Sequence, residues 1–411
     1  MTLTRRSFVY SVATAGAALA LAPRVLAGRG DGPCRLLFLN AEGGWDPLCV
    51  FAPMFDSAEI EMEPAAEPWT IGGLPLVDHP ARPVTRAFFE RHHGAVALLN
   101  GVSTRSVNHE TCSIVALTGS TSEERPDWAT ILGYEQRDAS SLPHLVVSGP
   151  SLPGPYSVFV SHAEGMLQPT IDGSILQIGD APVAVPAGPP SRVVDRFLAQ
   201  RALARSQAAP ASVPLTDYRE ALSRAKALSD ASLELRLVAG EDFGGRLRTA
   251  VSALAAGVCR CASVGTGFEW DTHDDNTVQS GLFDGFFGEL DGLLQLLAAT
   301  PGPQGQPLST DTIVVVTSEM ARTPAFNGTG GRDHWPYTSM MLMGPGVAGG
   351  RTFGGYSSLY TGLGVAPGGE PDPSQPGISA ESLGASLLAL GGVDPQQYLR
   401  SGASPIPGLL A

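Results

Sequence analysis

The run Thr312-Ile313-Val314-Val315-Val316 passes straight into Thr317-Ser318-Glu319-Met320-Ala321-Arg322-Thr323-Pro324, and Gly330-Gly331-Arg332-Asp333-His334 follows soon after. The β-branched stretch reads as a strand buried on both faces. A carboxylate at the end of such a strand, then a glycine-rich loop bearing Asp-His, is how open α/β sheets build sites. Oxygen and imidazole donors gathered there suit a divalent metal ion.

Outward from that stretch, residues 35–40, 95–99, 145–147 and 339–343 read as further strands. Residues 246–258 and 380–390 read as helices, and 277–297 is the clearest one. There Val278, Leu282, Phe286, Leu290, Leu293 and Leu297 recur every three or four residues. Residues 216–237 give a polar helix, and another is expected within the Pro/Ala-rich stretch 186–214. The Pro-rich segment 64–83 reads as surface loops and the Gly/Pro-rich segment 364–378 as a linker. Strands alternating with helices predict a mostly parallel sheet covered by helices on both faces. Nothing marks a second domain, so residues 28–411 are expected to form one, with about 186–245 as a helical insertion.

Thr4-Arg5-Arg6-Ser7-Phe8-Val9 has the form of a twin-arginine export signal, followed by a short apolar run and Val25-Leu26-Ala27 as a cleavage site. Residues 1–27 are therefore expected to be removed, and the protein to be periplasmic or secreted. The apolar run is shorter than the ~20 residues that span a bilayer, so no membrane span is expected in the mature form. Loss of Arg5, Arg6 and Arg24 leaves 23 basic against 40 acidic residues, which excludes nucleic acid and anionic membrane as natural partners. The five cysteines (Cys34, Cys49, Cys112, Cys259, Cys261) are too scattered for a disulfide scaffold.

Four loops carry the polar residues. Asp46 follows Gly43-Gly44-Trp45 after the first strand. His109 lies in Asn108-His109-Glu110-Thr111-Cys112 at a helix start. Asp271 and His273 precede the strong amphipathic helix, and Glu319, Asp333 and His334 complete the set. Each has a structural alternative. Asp46 could be a turn residue or N-cap, His109 a capping or packing residue, the Asp271 cluster a favourable charge at a helix N-terminus, and Glu319 a partner for Arg322. The other histidines (His79, His92, His93, His144, His162) lack such company and read as surface or satisfied core residues.

These motifs, with Arg322-Thr323-Pro324, Gly331 and Gly349-Gly350, resemble in order the bacterial domain-of-unknown-function 1501 family over roughly residues 35 to 398. That family is placed in the alkaline phosphatase-like superfamily with sulfatases. The resemblance implies an alkaline phosphatase-like α/β three-layer sandwich. It also implies roles by position: Asp271, His273 and His334 around one metal ion, with Asp46 and Glu319 holding a second. Two departures stand out. The place of the superfamily's Ser, Thr or Cys nucleophile holds His109, and its Asp-His pair is Glu319-Met320 here.

Two functions follow as expectations. One is metal-dependent hydrolysis of a sulfate or phosphate ester, small-molecule or glycan, with His109, Asp333 and the other ligands around zinc, manganese or calcium, one ion or two. Arg322 or Arg105 would then stabilise the anion. The alternative is a non-catalytic, metal-stabilised binding protein of the cell envelope. A solvent-open cleft over the ligands would favour the first, and a closed, fully coordinated site the second.

Overall fold

The computed structural model describes residues 34–163, 175–178, 181–184, 242–399 and 401–411, with a few isolated positions between 197 and 219. The expected signal and, those positions apart, the helices expected across 186–237 lie outside them. In chain order the strands are β1 (Arg35–Ala41), β2 (Glu67–Ile71), β3 (Leu74–Asp78), β4 (Val96–Ser103), β5 (His144–Val146), β6 (Val160–His162), β7 (Ile175–Ile178), β8 (Ala181–Ala184) and β9 (Cys261–Gly265). They continue with β10 (Thr312–Ser318), β11 (Ala321–Arg322), β12 (His334–Trp335), β13 (Tyr337–Met343), β14 (Arg351–Tyr356), β15 (Gly362–Val365), β16 (Pro371–Pro376) and β17 (Ile378–Ser379). The main helices are α1 (Pro83–His92), α2 (His109–Thr118), α3 (Trp128–Tyr134), α4 (Phe243–Ala255), α5 (Gln279–Ala299) and α6 (Ala380–Leu390).

Eleven strands form one sheet in the order β16-β15-β14-β4-β13-β10-β1-β9-β5-β6, with β17 beside β4. β1 lies between β10 and β9 and runs parallel to both. β13 is antiparallel to β10 and to β4, so β4 again runs with β1. The reversal has a local cause. Between β10 and β13 the chain forms only the β11–β12 pair and no crossover helix, and a parallel return needs one. β15 is the other reversed strand, so the sheet is mostly parallel.

Alternation along each strand divides the core in two. Leu37, Leu39, Val314, Val316, Met341 and Met343 face the cluster formed with Phe88, Phe243, Leu247, Phe283, Phe286 and Leu290. Leu36, Phe38, Ile313, Val315, Met340 and Leu342 face the other, with Trp128, Ile131, Leu383, Leu387 and Leu388. Helices α1, α4 and α5 thus cover one face and α2, α3 and α6 the other, giving the three layers expected. Strands buried on both faces are continuous apolar runs for this reason. Truncating such a Leu or Ile to Ala typically costs about 2–5 kcal/mol.

Two loop expectations are overturned. Residues 64–83 contain the β2–β3 hairpin, because Leu74 and Leu76 alternate with outward Pro75 and are fully buried. Residues 364–378 contain β16 and β17 rather than a linker. β16 is an edge strand, and Pro371, Pro373 and Pro376 are tolerated there because an edge need not donate outward. All five cysteines are free and buried. Among the described residues no helix is long and apolar enough to cross a membrane.

His144 on β5 is 1% exposed, between Thr130 Oγ1 (2.9 Å from Nδ1) and Ser263 Oγ (2.8 Å from Nε2). Burial lowers its pKa, against the Asp127 carboxylate 3.9 Å away. The folded state therefore binds fewer protons than the unfolded one below the ordinary histidine pKa of about 6.5. Stability conferred by the neutral ring is complete above that pH and is lost as pH falls toward the depressed value, by up to about 1.4 kcal/mol per pH unit. Denaturant unfolding between pH 5 and 8 is expected to show a shallower acid-side loss for His144→Gln than for wild type. Equal slopes would mean that His144 takes up its proton alike in the folded and the unfolded chain.

Candidate metal centre

Because β1, β4, β9 and β10 run the same way, their C-terminal ends share one edge of the sheet. Each end opens a loop. β1 leads to Gly43-Gly44, β4 to His109, β9 to Asp271 and His273, and β10 to Glu319. The β11–β12 pair, with Arg322 opposite His334, brings Asp333 and His334 back to the same place. Gly43 (φ +107°) and Gly44 (φ +82°) take backbone conformations that a side chain resists, and a Cβ on Gly43 would sit 2.8 Å from the Asp271 nitrogen.

Three imidazoles meet there, each held from behind. His109 Nδ1 lies 2.9 Å from Glu319 Oε1, His273 Nδ1 3.0 Å from Asp333 Oδ1, and His334 Nδ1 2.7 Å from the Val107 carbonyl. An ionised carboxylate or a carbonyl can only accept, so each Nδ1 carries a proton, and each ring, when neutral, turns an Nε2 lone pair toward Asp271. Those Nε2 atoms surround Asp271. His273 Nε2 is 3.1 Å and His334 Nε2 3.2 Å from Oδ1, the two nitrogens are 2.8 Å apart, and His109 Nε2 is 3.5 Å from Oδ2.

Two bare lone pairs 2.8 Å apart repel unless a proton or cation lies between them. His109 Nε2 is moreover buried without a hydrogen-bond partner. Ligands at zinc distances of 2.0–2.1 Å in a tetrahedron stand about 3.3 Å from one another, which is close to the spacing found. His109, Asp271 and His334 have donor atoms within 4.8 Å of each other, a candidate His/Asp/His metal site. The donor chemistry fits a divalent ion.

Arg322 fixes the carboxylate. Its fully buried guanidinium donates to Asp271 Oδ1 (2.7 Å), to the Gly44 carbonyl (2.8 Å), to the Arg332 carbonyl (3.3 Å) and to the Gly43 carbonyl. Partial burial raises the Asp271 pKa, but the hydrogen bond and charge of Arg322 oppose it, and the carboxyl is held below its usual range. The Glu319 hydrogen bond raises His109 above the histidine range despite burial. His273 and then Asn327, both bonded to Asp333, lower that carboxyl.

The remaining expected residues stand elsewhere. Asp46 caps the helical turn Pro47–Val50 through Leu48 N–H (3.0 Å). Its other oxygen accepts from Asn276 (2.8 Å) and pairs with Arg332 Nε at 3.2 Å, so it is outside the cluster. Glu319 accepts from His109 and from Gly43 N–H (2.7 Å) rather than pairing with Arg322. Arg105 forms an ion pair with Glu381 and is partly exposed, whereas Arg322 is buried with its donors committed to Asp271 and backbone carbonyls. Cys112, buried beside His109, donates to the Ser106 carbonyl, and burial raises its thiol pKa. Of the other histidines, His79, His92 and His93 are hydrogen-bonded and His162 is exposed, as expected. Sequence reading missed Arg332, Asn276 and Asn327. Only Asn327-Gly328 carries a local signal, that of a turn.

Residues 197–401 match the family model described as "Protein of unknown function (DUF1501)". The chain belongs to the DUF1501 family. The matched range holds Asp271, His273, Glu319, Asp333 and His334, whereas Asp46 and His109 precede it. No curated protein matches the chain. Among solved structures, this DUF1501 chain is similar to Ps i-CgsB at 9% identity and a TM-score of 0.41, covering 92% of this chain and 76% of that one. It is also similar to a protein in the alkaline phosphatase superfamily from Vibrio parahaemolyticus (10% identity, TM-score 0.38, 93% and 72% covered). A third is the PsFucS1 sulfatase from Pseudoalteromonas sp. (12% identity, TM-score 0.38, 92% and 72% covered). Nothing about the site is carried over from them.

A Cβ on Gly331 would lie 1.9 Å from the His273 carbonyl oxygen, which is backbone and cannot turn aside. Gly331→Ala is therefore expected to push the two ligand loops apart and cost at least about 1–3 kcal/mol. Thermal unfolding of the purified variant measures it, and an unchanged midpoint would show that the loops are not in contact.

Proposed function

We propose that this DUF1501 protein is an exported, metal-dependent hydrolase of phosphate or sulfate esters. The observation that carries the reading is the convergence of three Nε2 lone pairs on Asp271 on an open face. The Asp271 and His273 side chains there are 45% and 39% exposed. A nitrogen-rich donor set suits zinc better than manganese, which prefers oxygen donors, and does not suit calcium, which takes six to eight oxygens. The twin-arginine motif supports export after folding.

His109, Asp271, His273 and His334 would hold the ion, with Glu319, Asp333 and the Val107 carbonyl fixing the rings and Arg322 the carboxylate. These outer partners raise ligand basicity and set ring orientation. A bound divalent ion would supply Lewis acidity toward the ester oxygen and neutralise its charge. The neighbouring Cys112 and Ser318 each donate to a backbone carbonyl, so the chain's own residues favour water as the attacking group. The oxygen of water bonds to phosphorus or sulfur, the ester oxygen leaves, and it is released as an alcohol with one proton of that water. Export would place this activity on periplasmic or external substrates, small molecules or glycan esters.

One observation favours the non-catalytic reading. Three imidazoles and a carboxylate can already complete a tetrahedron, as structural zinc sites do.

Metal content and hydrolysis of aryl phosphate, phosphodiester and aryl sulfate are to be measured together on the mature protein, with zinc, manganese and calcium. The expected result is bound zinc or manganese with turnover of one ester class, with turnover lost and the metal held more weakly in His273→Ala and His334→Ala. Bound metal without turnover on any ester would establish the structural clamp instead. No metal under any loading condition would sink both.

A further inference from the structure

The weakest-looking part of the centre is the His273–Asp333 pair. His273 is 39% exposed and Asp333 62% exposed, and ion pairs so exposed contribute little by themselves. Yet His273 Nε2 is aimed within 3.1 Å of Asp271 Oδ1, so something beyond that pair fixes the ring. Asn327 is placed to do it. Its Nδ2 donates to the His273 backbone carbonyl (2.8 Å) and to Asp333 Oδ1 (3.3 Å), the same oxygen that accepts from His273 Nδ1. Its Oδ1 accepts from Gly331 N–H (3.1 Å), Thr329 N–H (3.1 Å) and the Thr329 hydroxyl (2.7 Å), which also donates to the His273 carbonyl (2.9 Å). One amide thus ties the loop carrying Asp333 and His334 to the backbone of the loop carrying His273.

We propose that Asn327 is a positioning residue of the metal centre, holding Asp333 against His273 so that Nε2 of that ring faces Asp271. This rests on the metal-centre reading above. The bland alternative is that Asn327 serves only its own turn, through the bonds to Thr329 and Gly331. The two roles separate chemically, because Asn327→Asp retains the acceptor oxygen of the turn. It loses the donor to His273 and Asp333 and sets a second carboxylate beside Asp333.

Zinc affinity is to be measured for wild type, Asn327→Asp, His273→Ala and the double variant. In parallel, imidazole nitrogen NMR on the metal-free proteins at pH 8 reports the tautomer of His273. A positioning role predicts about a 10–100-fold weaker zinc affinity in Asn327→Asp. In the His273→Ala background the same change costs less than about twofold, since the ring through which it acts is gone. It also predicts His273 protonated on Nδ1 in wild type and a mixture of tautomers in Asn327→Asp. An equal loss in both backgrounds, or an unchanged tautomer, overturns the proposal. If wild type binds no zinc, the metal reading fails, and the tautomer comparison alone decides the role of Asn327. Should Asn327→Asp not fold, Asn327→Ser is too short to reach both partners and is judged by the same outcomes.

Discussion

A single buried guanidinium holds the site end of this molecule together. Arg322 is fully enclosed, and its hydrogen bonds reach the loop after β1, the loop after β9 and the strand pair β11–β12. A charge so buried is costly unless it is paired and saturated, and here Asp271 supplies the charge and three carbonyls the rest. The loops are therefore fixed by a residue that is itself fixed by them. A second buried ion pair, Asp46–Arg332, ties the segment after β1 to the loop that carries Asp333.

The remaining balance of charge sets the character of the centre. Asp271, Glu319 and Asp333 bring three carboxylates to one small region, and Arg322 offsets one of them. Each imidazole has its proton committed behind it, to Glu319, Asp333 or the Val107 carbonyl. What faces inward is a set of lone pairs and a carboxylate. Such an arrangement is stable in the company of a cation and strained without one, which is the physical content of the metal reading.

Much of the architecture was legible because it is written in periodicity. The run 312–316 and the leucine and phenylalanine spacing of α5 gave strand and helix. Loops that are read by proline content went wrong. Leu74 and Leu76 follow a period of two that the neighbouring prolines obscure, and the prolines of β16 sit on an edge where they do no harm. At the site, the residue types were readable and their layers were not. Histidines near carboxylates announce a centre, but only geometry shows that Glu319 and Asp333 stand behind rings while Asp271 stands among them. Asp46 shows the same limit: a carboxylate after Gly43-Gly44 fits a ligand and an N-cap equally well, and hydrogen bonds to Leu48 and Asn276 decide. Asn327 and Arg332 act through distant backbone carbonyls, and no local pattern encodes those.

The donors at this edge are far apart along the chain. His109 and Glu319 are separated by 210 residues, and His273 and His334 by 61. An ion gripped by His109, Asp271, His273 and His334 would act as a removable cross-link, closing several long loops at once. As with a disulfide, closing long loops subtracts most from the freedom of the unfolded chain. Unlike a disulfide, it would do so without sulfur and in either redox environment, in a protein whose five cysteines all stay free. Durability would then be governed by how much free metal the surroundings offer.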